Sequence, residues 1–226
     1  MTPTFTRVCL LLIAPICGAQ AQSSDANFCR NGLFPREQGH LSLGVVRGHK
    51  DQKVHFFDDY DGCPAKAAKC MRAAYLVPGD EVLVGKSTAN WACVWYQDRK
   101  HEIVSWMPKT NIAVVSAPPL HPVRDWLGVW SDGNGTIRIS RSGARDSLEF
   151  LSKLRWDGGS SPDGFPIANF GGTKAALNVN GRRASASDGV CQVVLTRIGK
   201  YLLADDNGDC GGMNVRHTGV YFRRPR

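Results

Sequence analysis

The feature that most constrains this chain lies near its end, where apolar residues fall at every second position and glycines separate the runs. A period of two is typical of a strand with one buried face. The turns between the runs should use the positive φ that glycine adopts readily. They contain Gly199, Gly208, Gly211 and Gly212. Residues 191 to 222 therefore predict three consecutive antiparallel strands, the first two framed by Cys191 and Cys210.

Residues 1 to 21 have the composition of a secretory signal peptide. Arg7 precedes a short apolar run, and Ala-Gln-Ala at residues 19 to 21 provides a small-residue cleavage site before Gln22. The run is too short to cross a bilayer as a stable helix, and no later apolar run is long enough either. We therefore expect a periplasmic or secreted protein without a transmembrane segment.

Six cysteines remain after the signal, an even number typical of disulfides in an exported chain. No two of them have the close spacing of zinc ligands, so we expect three disulfides, no metal and no cofactor. Cys191 and Cys210 flank a predicted hairpin and should pair. The other four are Cys29, Cys63, Cys70 and Cys93. They permit three pairings. We favour Cys29 with Cys63 and Cys70 with Cys93, because each bridge would tie a loop to a strand.

The chain is basic, with 28 Lys and Arg against 20 Asp and Glu, and the loss of Arg7 leaves a net charge of +7. Most of the excess lies after residue 117. An exported basic protein meets anionic cell-wall polymer, lipid or acidic protein, and we expect no nucleic-acid partner. The alternative is an ordinary solvated surface. The candidate contacts are arginines in turns and at the end, where we expect the long side chains to reach outward into solvent and their guanidinium groups to fork onto carboxylate or phosphate. They are Arg182, Arg183, Arg223, Arg224 and Arg226.

Two domains are predicted for the roughly 205 residues that follow the signal. Residues 117 to 122 contain three prolines and predict a semi-rigid linker between domains at residues 22 to 116 and 123 to 226. Short runs rich in β-branched and aromatic residues recur in both parts, and no segment has a helical period beyond a single turn. We expect an all-β protein whose second domain is an antiparallel barrel or sandwich.

Three motifs in the first half follow a recognisable order. They are Tyr75-Leu-Val-Pro-Gly-Asp-Glu-Val, Trp91-x-x-Val-x-Tyr and Val104-Ser-Trp-Met-Pro. Residues 53 to 113 thereby resemble a bacterial SH3-type domain, in which a Gly-Asp turn precedes one strand, a Trp opens the next, and Gly-Trp-(Leu or Met)-Pro closes the barrel. The chain departs from this pattern at Ser105, which replaces the glycine. The resemblance implies a small SH3-like barrel that binds cell-wall peptides or proteins without catalysis.

Tyr75, Trp91 and Tyr96 are the candidate binding residues of this domain. Aromatic side chains on one side of a small barrel form a platform for a sugar or a peptide, with phenol and indole edges for polar contacts. The alternative is burial, because Trp91, Cys93 and Trp95 share one face of a strand and a disulfide cysteine usually points inward. The sequence leaves both interpretations open for Trp91 and favours the core for Trp95.

The second half begins with Trp126-Leu-Gly-Val-Trp and ends with a glycine-rich turn and strand that contain Cys210. These ends loosely resemble those of small disulfide-clamped envelope β-domains such as periplasmic lysozyme inhibitors. Asp205, Asn207 and Asp209 have the alternate oxygens of a calcium loop, but the loop is short and lacks the bidentate glutamate, so a plain hairpin turn is the better interpretation.

Catalytic motifs are absent from the sequence. The six histidines, His217 among them, show no metal spacing, the serines show no nucleophile elbow, and every cysteine is assigned to a disulfide. We therefore expect a non-catalytic binding protein of the bacterial envelope that engages cell-wall material or an envelope protein. The alternatives are an inhibitor or immunity protein against a cell-wall hydrolase, or a hydrolase with an unrecognised site.

Overall fold

The computed structural model describes residues 28–32, 34–37, 41–98, 102–143 and 147–224. The predicted signal peptide, its cleavage site and Arg226 lie outside these residues. The described chain is all-β, as predicted, with antiparallel strands in two sheets and only 3-10 helices of three or four residues. No helix in these ranges is long and apolar enough to cross a membrane.

Seven strands form the first sheet. In chain order they are β1 (Ser42–Val46), β2 (Val54–Phe57), β3 (Met71–Leu76), β4 (Glu81–Ser87), β5 (Trp91–Gln97), β6 (Glu102–Pro108) and β7 (Ile112–Val115). Their spatial order is β3-β2-β6-β5-β4-β1-β7. Ser105 lies in β6 with its side chain buried, and its Oγ donates a hydrogen bond to the carbonyl of Phe57 in β2 at 2.5 Å. The residue that departs from the SH3-type pattern therefore links these two strands.

Nine strands follow residue 127. They are β8 (Gly128–Ser131), β9 (Gly135–Arg141), β10 (Leu148–Ser160), β11 (Pro166–Gly171), β12 (Lys174–Asn180), β13 (Arg183–Ser187), β14 (Gln192–Ile198), β15 (Tyr201–Asp206) and β16 (Gly219–Arg223). Eight of them close into a barrel, because β10 pairs with both β9 and β12 and β16 pairs with β8. Closure leaves the barrel ladder without a free edge. The sequence left barrel and sandwich open, and the structure is a barrel.

The ninth strand, β11, belongs to a hairpin that projects from the barrel. Only the first half of β10 pairs with β9 and β12, whereas its second half pairs with β11. The hairpin leaves large apolar side chains exposed, with Phe165 at 70% and Phe170 at 66% of their full accessibility. Single exposed apolar residues are ordinary, but two phenylalanines on one projecting hairpin mark a candidate contact surface.

The three predicted disulfides form, and one predicted pairing is correct. Cys191 bonds Cys210, with α-carbons 4.5 Å apart. The pairing favoured for the other four cysteines is wrong, because Cys29 bonds Cys93 and Cys63 bonds Cys70. The last two lie on either side of one short turn, and the segment that carries Cys29 lies across the face of β5 that presents Cys93. Spacing alone does not reveal which strand face a terminal segment covers.

The terminal stretch forms β14, β15 and β16, as predicted, but two of its glycines act differently. Gly199 and Gly208 have φ of 55° and 93° and turn the chain as expected. The positive φ expected for Gly211 and Gly212 is wrong. Gly211 instead bridges Gly171, and a β-carbon on it would lie 2.8 Å from the α-carbon of Gly171. Glycine is needed there for close approach between two backbones.

One face of β5 packs against the barrel. Trp95 is buried, and its ring centroid lies 5.6 Å from those of Tyr201 and Phe222, both on barrel strands. We call this cluster the shared core. It also contains Leu43 and Trp106 of the first half, together with Ile198, Leu203 and Val220 of the barrel. The two halves are therefore in apolar contact, which the proline-rich segment did not predict.

The proline-rich segment itself is fixed to the barrel. Arg182 lies in the turn between β12 and β13 and is partly buried, and its Nη2 donates to the carbonyls of Ala117 and Pro118, each at 2.7 Å. The expectation that Arg182 reaches outward is therefore wrong. Its side chain turns toward the linker, where the carbonyls of a proline-containing segment provide hydrogen-bond acceptors that no strand uses.

Candidate functional site

An aromatic groove lies where β3 approaches the ends of β5 and β6. Its volume is about 460 Å³, within the range of small-molecule and peptide side-chain pockets. The groove is lined by Ala74, Tyr75, Leu76, Tyr96, Asp98, Glu102 and Ile103. Leu76 is fully packed in the interior core of the first sheet, and Ala74, Tyr96 and Ile103 pack at the edge of that core. The groove therefore has an apolar floor and tyrosines at its rim.

Tyr75 is held in place by its neighbours while part of its ring stays open. Its side chain is 42% exposed. Lys53 Nζ lies 4.6 Å from the ring centroid, and the ring of His55 lies 5.7 Å away. His55 is fixed in turn by a 2.9 Å hydrogen bond between its Nδ1 and the carbonyl of Arg72. A ring ordered in this way loses little conformational entropy when a ligand binds.

The charge around Tyr96 is negative. Burial raises the pKa of its phenol, and the carboxylates of Asp80 and Asp98 raise it further, because each disfavours a second negative charge. Glu102 also lines the groove, and its Oε1 accepts a 2.6 Å hydrogen bond from the indole of Trp95. A field that opposes a phenolate favours a cation, so the groove suits an apolar group next to a positive charge.

The structure unites two of the three predicted aromatic residues. Tyr75 and Tyr96 line the same groove, whereas Trp91 lies on the opposite face of β5. Trp91 is 8% exposed, and its ring centroid is 4.7 Å from that of Phe57. The acidic contribution of Asp98 was missed. Alternation offered a signal, because Asp98 follows Tyr96 by two residues, directly after the end of β5, and a strand directs such residues to one side.

A second cleft lies on the barrel and is basic. Its volume is about 480 Å³, and it brings Arg223 and Arg224 together with Arg138, an arginine outside the predicted set of contacts. Pairing of β8 with β9 sets Arg138 opposite Val129, and because β8 also pairs with β16, Arg138 lies two strands from Arg223. Arg223 and Arg224 also donate to the barrel, to the carbonyl of Asp125 and the hydroxyl of Ser131 respectively. Arg183 is exposed elsewhere, on β13.

The acidic segment is a hydrogen-bonded turn at the end of β15, and the prediction of a plain hairpin turn is wrong because the next strand begins only at Gly219. The side-chain oxygen of Asn207 accepts from the backbone N–H of Gln192 and of Asp209. Its amide donates to the carbonyl of Val190 and to Asp209. The hydroxyl of Thr218 donates to Asp205 at 2.7 Å. These side-chain oxygens already accept hydrogen bonds that stabilise the turn.

A buried network inside the barrel has the same three groups as a serine hydrolase. His217 Nδ1 lies 3.0 Å from Asp206 Oδ2, and its Nε2 lies 2.8 Å from Ser152 Oγ. Ser152 is only 4% exposed, and its Oγ also accepts the backbone N–H of Thr173. A nucleophile has to meet a substrate, whereas this hydroxyl lies inside packed protein. We therefore infer a structural role for the network, which ties β10 to β15 and to the segment before β16.

No protein-family model, curated protein or solved structure matches this chain. Geometry and chemistry therefore carry the functional proposal.

Proposed function

We propose that this chain is an exported, non-catalytic binding protein of the bacterial envelope and that the aromatic groove of its SH3-type half takes peptide from cell-wall material or from an envelope protein. The observation that carries the proposal is the union of Tyr75 and Tyr96 in one groove with an apolar floor and negative charge. Such a groove favours a peptide that presents an amine or a basic side chain beside an apolar one. Three disulfides fit an oxidising compartment.

Binding to murein sacculi, whose peptides carry amines and carboxylates, tests this proposal. We expect saturable co-sedimentation of the purified protein and a loss of affinity of about tenfold or more for Tyr75→Ala, equal to about 1.4 kcal/mol. The matched control is Tyr60→Ala, because Tyr60 is 53% exposed and lies outside the groove. Absence of saturable binding, or an equal loss in both variants, would refute the groove as the site.

The same assay tests the basic cleft as an anion contact. If its arginines meet murein carboxylates, binding weakens between 0.1 M and 1 M salt, as the screening length falls from about 10 Å to about 3 Å. Arg138→Gln should then lower affinity at low salt, while Arg183→Gln, an exposed arginine outside the cleft, should not. Salt-independent binding that neither change affects would leave the aromatic groove as the sole contact.

The projecting hairpin favours inhibition of a cell-wall hydrolase as a second candidate function. Enzyme clefts are concave, and a hairpin with Phe165 and Phe170 exposed offers a convex apolar counterpart. Inhibition of purified muramidases, amidases and endopeptidases tests it. We expect one class to be inhibited, with about tenfold or greater weakening by Phe170→Ser. Val194→Ser, which changes an exposed apolar residue on β14, is the control; no inhibition in any class would exclude this candidate.

A further inference from the structure

The barrel has an apolar cavity at the end that the proline-rich segment covers. Its volume is about 590 Å³, a size that suits a small ligand. Leu148, Leu177 and Val179 contribute inward-facing side chains from β10 and β12, and the proline-rich segment contributes Leu120 and Val123. Apart from Arg182, the residues that line this cavity have no polar side chain, and none of them belongs to the aromatic groove or the basic cleft.

Arg182 is the one charged side chain among the described residues that line this cavity. Its Nη2 is held by the two linker carbonyls, Ala117 and Pro118. Its Nη1 is buried and has no hydrogen-bond partner. A buried donor without an acceptor costs about 1–3 kcal/mol, so a ligand oxygen that reaches this guanidinium would be bound favourably.

The protein around Arg182 carries excess positive charge. The side chain of Arg197 points into the barrel, its guanidinium lies 4.3 Å from the ring centroid of Trp130, and its Nε is buried and unpaired. Burial lowers the pKa of Arg197 to about 10, and the charges of Arg223 and Arg182 contribute in the same direction, with Asp125 opposing them. Cations that disfavour each other in this way are stabilised by an added anion.

We propose that this cavity binds a small aliphatic carboxylate, with the carboxylate on Arg182 and the hydrocarbon chain against Leu148, Leu177 and Val179. One carboxylate matches one lining guanidinium, and one of its oxygens can accept a charge-assisted hydrogen bond from Nη1, the nitrogen that has no partner. A polymer or a phosphate with several charges would place the remaining charges against hydrocarbon, which is unfavourable. The site does not depend on the groove function proposed above.

Calorimetry with decanoate and decanol tests this site on the intact mature chain. The two probes share an alkyl chain and differ in the group that meets Arg182. We expect decanoate to bind about tenfold or more tightly than decanol, as a charge-assisted hydrogen bond requires. Arg182→Gln should remove most of this preference, whereas Arg183→Gln, which changes the neighbouring exposed arginine, should leave it intact.

A second variant tests the hydrocarbon part. Val179→Trp places an indole in the cavity and should weaken both probes about tenfold or more, while circular dichroism reports an unchanged fold. Three results would overturn the proposal: no decanoate binding to the wild-type protein, equal affinity for decanol, or equal loss in Arg182→Gln and Arg183→Gln. Binding that persists unchanged in folded Val179→Trp would place the ligand elsewhere and overturn it as well.

Discussion

Replacement of His217 by alanine should lower the free energy of unfolding by about 3–5 kcal/mol, because it removes a fully buried ring together with one of the donors to a buried carboxylate. The side chains of His217 and Asp206 are both fully buried. Asp206 Oδ2 accepts from the ring of His217 at 3.0 Å and from its backbone N–H at 2.5 Å. Alanine keeps the backbone bond and removes the ring. Urea or thermal unfolding measures the loss, with exposed His49→Ala as a control expected to stay within about 0.5 kcal/mol.

The dependence of the free energy of unfolding on pH identifies the cause of this loss. Burial acts to raise the pKa of Asp206, but hydrogen bonds from His217 and Gly208 outweigh it and hold that pKa below its ordinary value. In the wild type this carboxylate therefore stabilises the fold above about pH 4, and that contribution is lost as the pH falls further. In His217→Ala, the loss of the ring should raise the pKa of Asp206 toward its ordinary value, so the stabilising contribution of this carboxylate at neutral pH becomes smaller.

The stability difference between wild type and His217→Ala should accordingly shrink toward pH 4 and below. The double variant Asp206→Asn/His217→Ala removes the charge as well and should recover part of the loss at pH 7. A difference that is constant with pH, with no recovery in the double variant, would contradict the buried-charge explanation.

Ser152→Ala should lower the free energy of unfolding by about 1–3 kcal/mol, since the N–H of Thr173 loses its acceptor.

The second large effect concerns Trp95, which joins the two halves. Trp95→Ala should lower the free energy of unfolding by about 3–5 kcal/mol, because removal of the indole leaves a cavity between tightly packed rings. Tyr201 and Phe222 on the barrel would lose their contacts with the indole, and Glu102 would lose a hydrogen-bond donor. The matched control is Trp156→Ala, which changes a partly exposed tryptophan on the projecting hairpin.

Calorimetry also tests whether the shared core couples the halves. We expect one cooperative transition for the wild-type protein and two separated transitions for Trp95→Ala, because the loss of apolar contact removes the linkage between the sheets. Two transitions in the wild type, with Trp95→Ala lowering only one of them, would mean that the halves unfold independently and that the shared core adds little to stability.

Much of the secondary structure could be predicted from the sequence, because strands with one buried face alternate. The runs Val54–Phe57 and Glu102–Pro108, rich in β-branched and aromatic residues, are β2 and β6, and the alternation from Leu148 to Trp156 lies in β10. β13 has no such signal in the sequence. Its inward residues are Ala184 and Ala186, separated by serines, so a buried face made of small side chains gave no hydrophobic contrast. Small residues fit there because larger side chains from neighbouring strands fill the barrel.

The candidate site was only partly predictable. Tyr75 and Tyr96 were named as aromatic residues that a ligand would meet, but they lie on strands separated by two others in the sheet, so their meeting depends on how the sheet curls. The arginines show the same limit. Arg182 was expected to face solvent, and its role changed because a proline segment distant in sequence passes beside it.

The sequence by itself determined the all-β class, the three final strands and the bridge between Cys191 and Cys210, because alternation, turn glycines and a hairpin act over short distances along the chain. The tertiary structure alone decided the closed barrel, the bridge from Cys29 to Cys93 and the shared core around Trp95. Those features depend on which strand faces and edges pack against each other in the folded chain. Apolar burial is non-directional, so an apolar face in the sequence does not specify its partner.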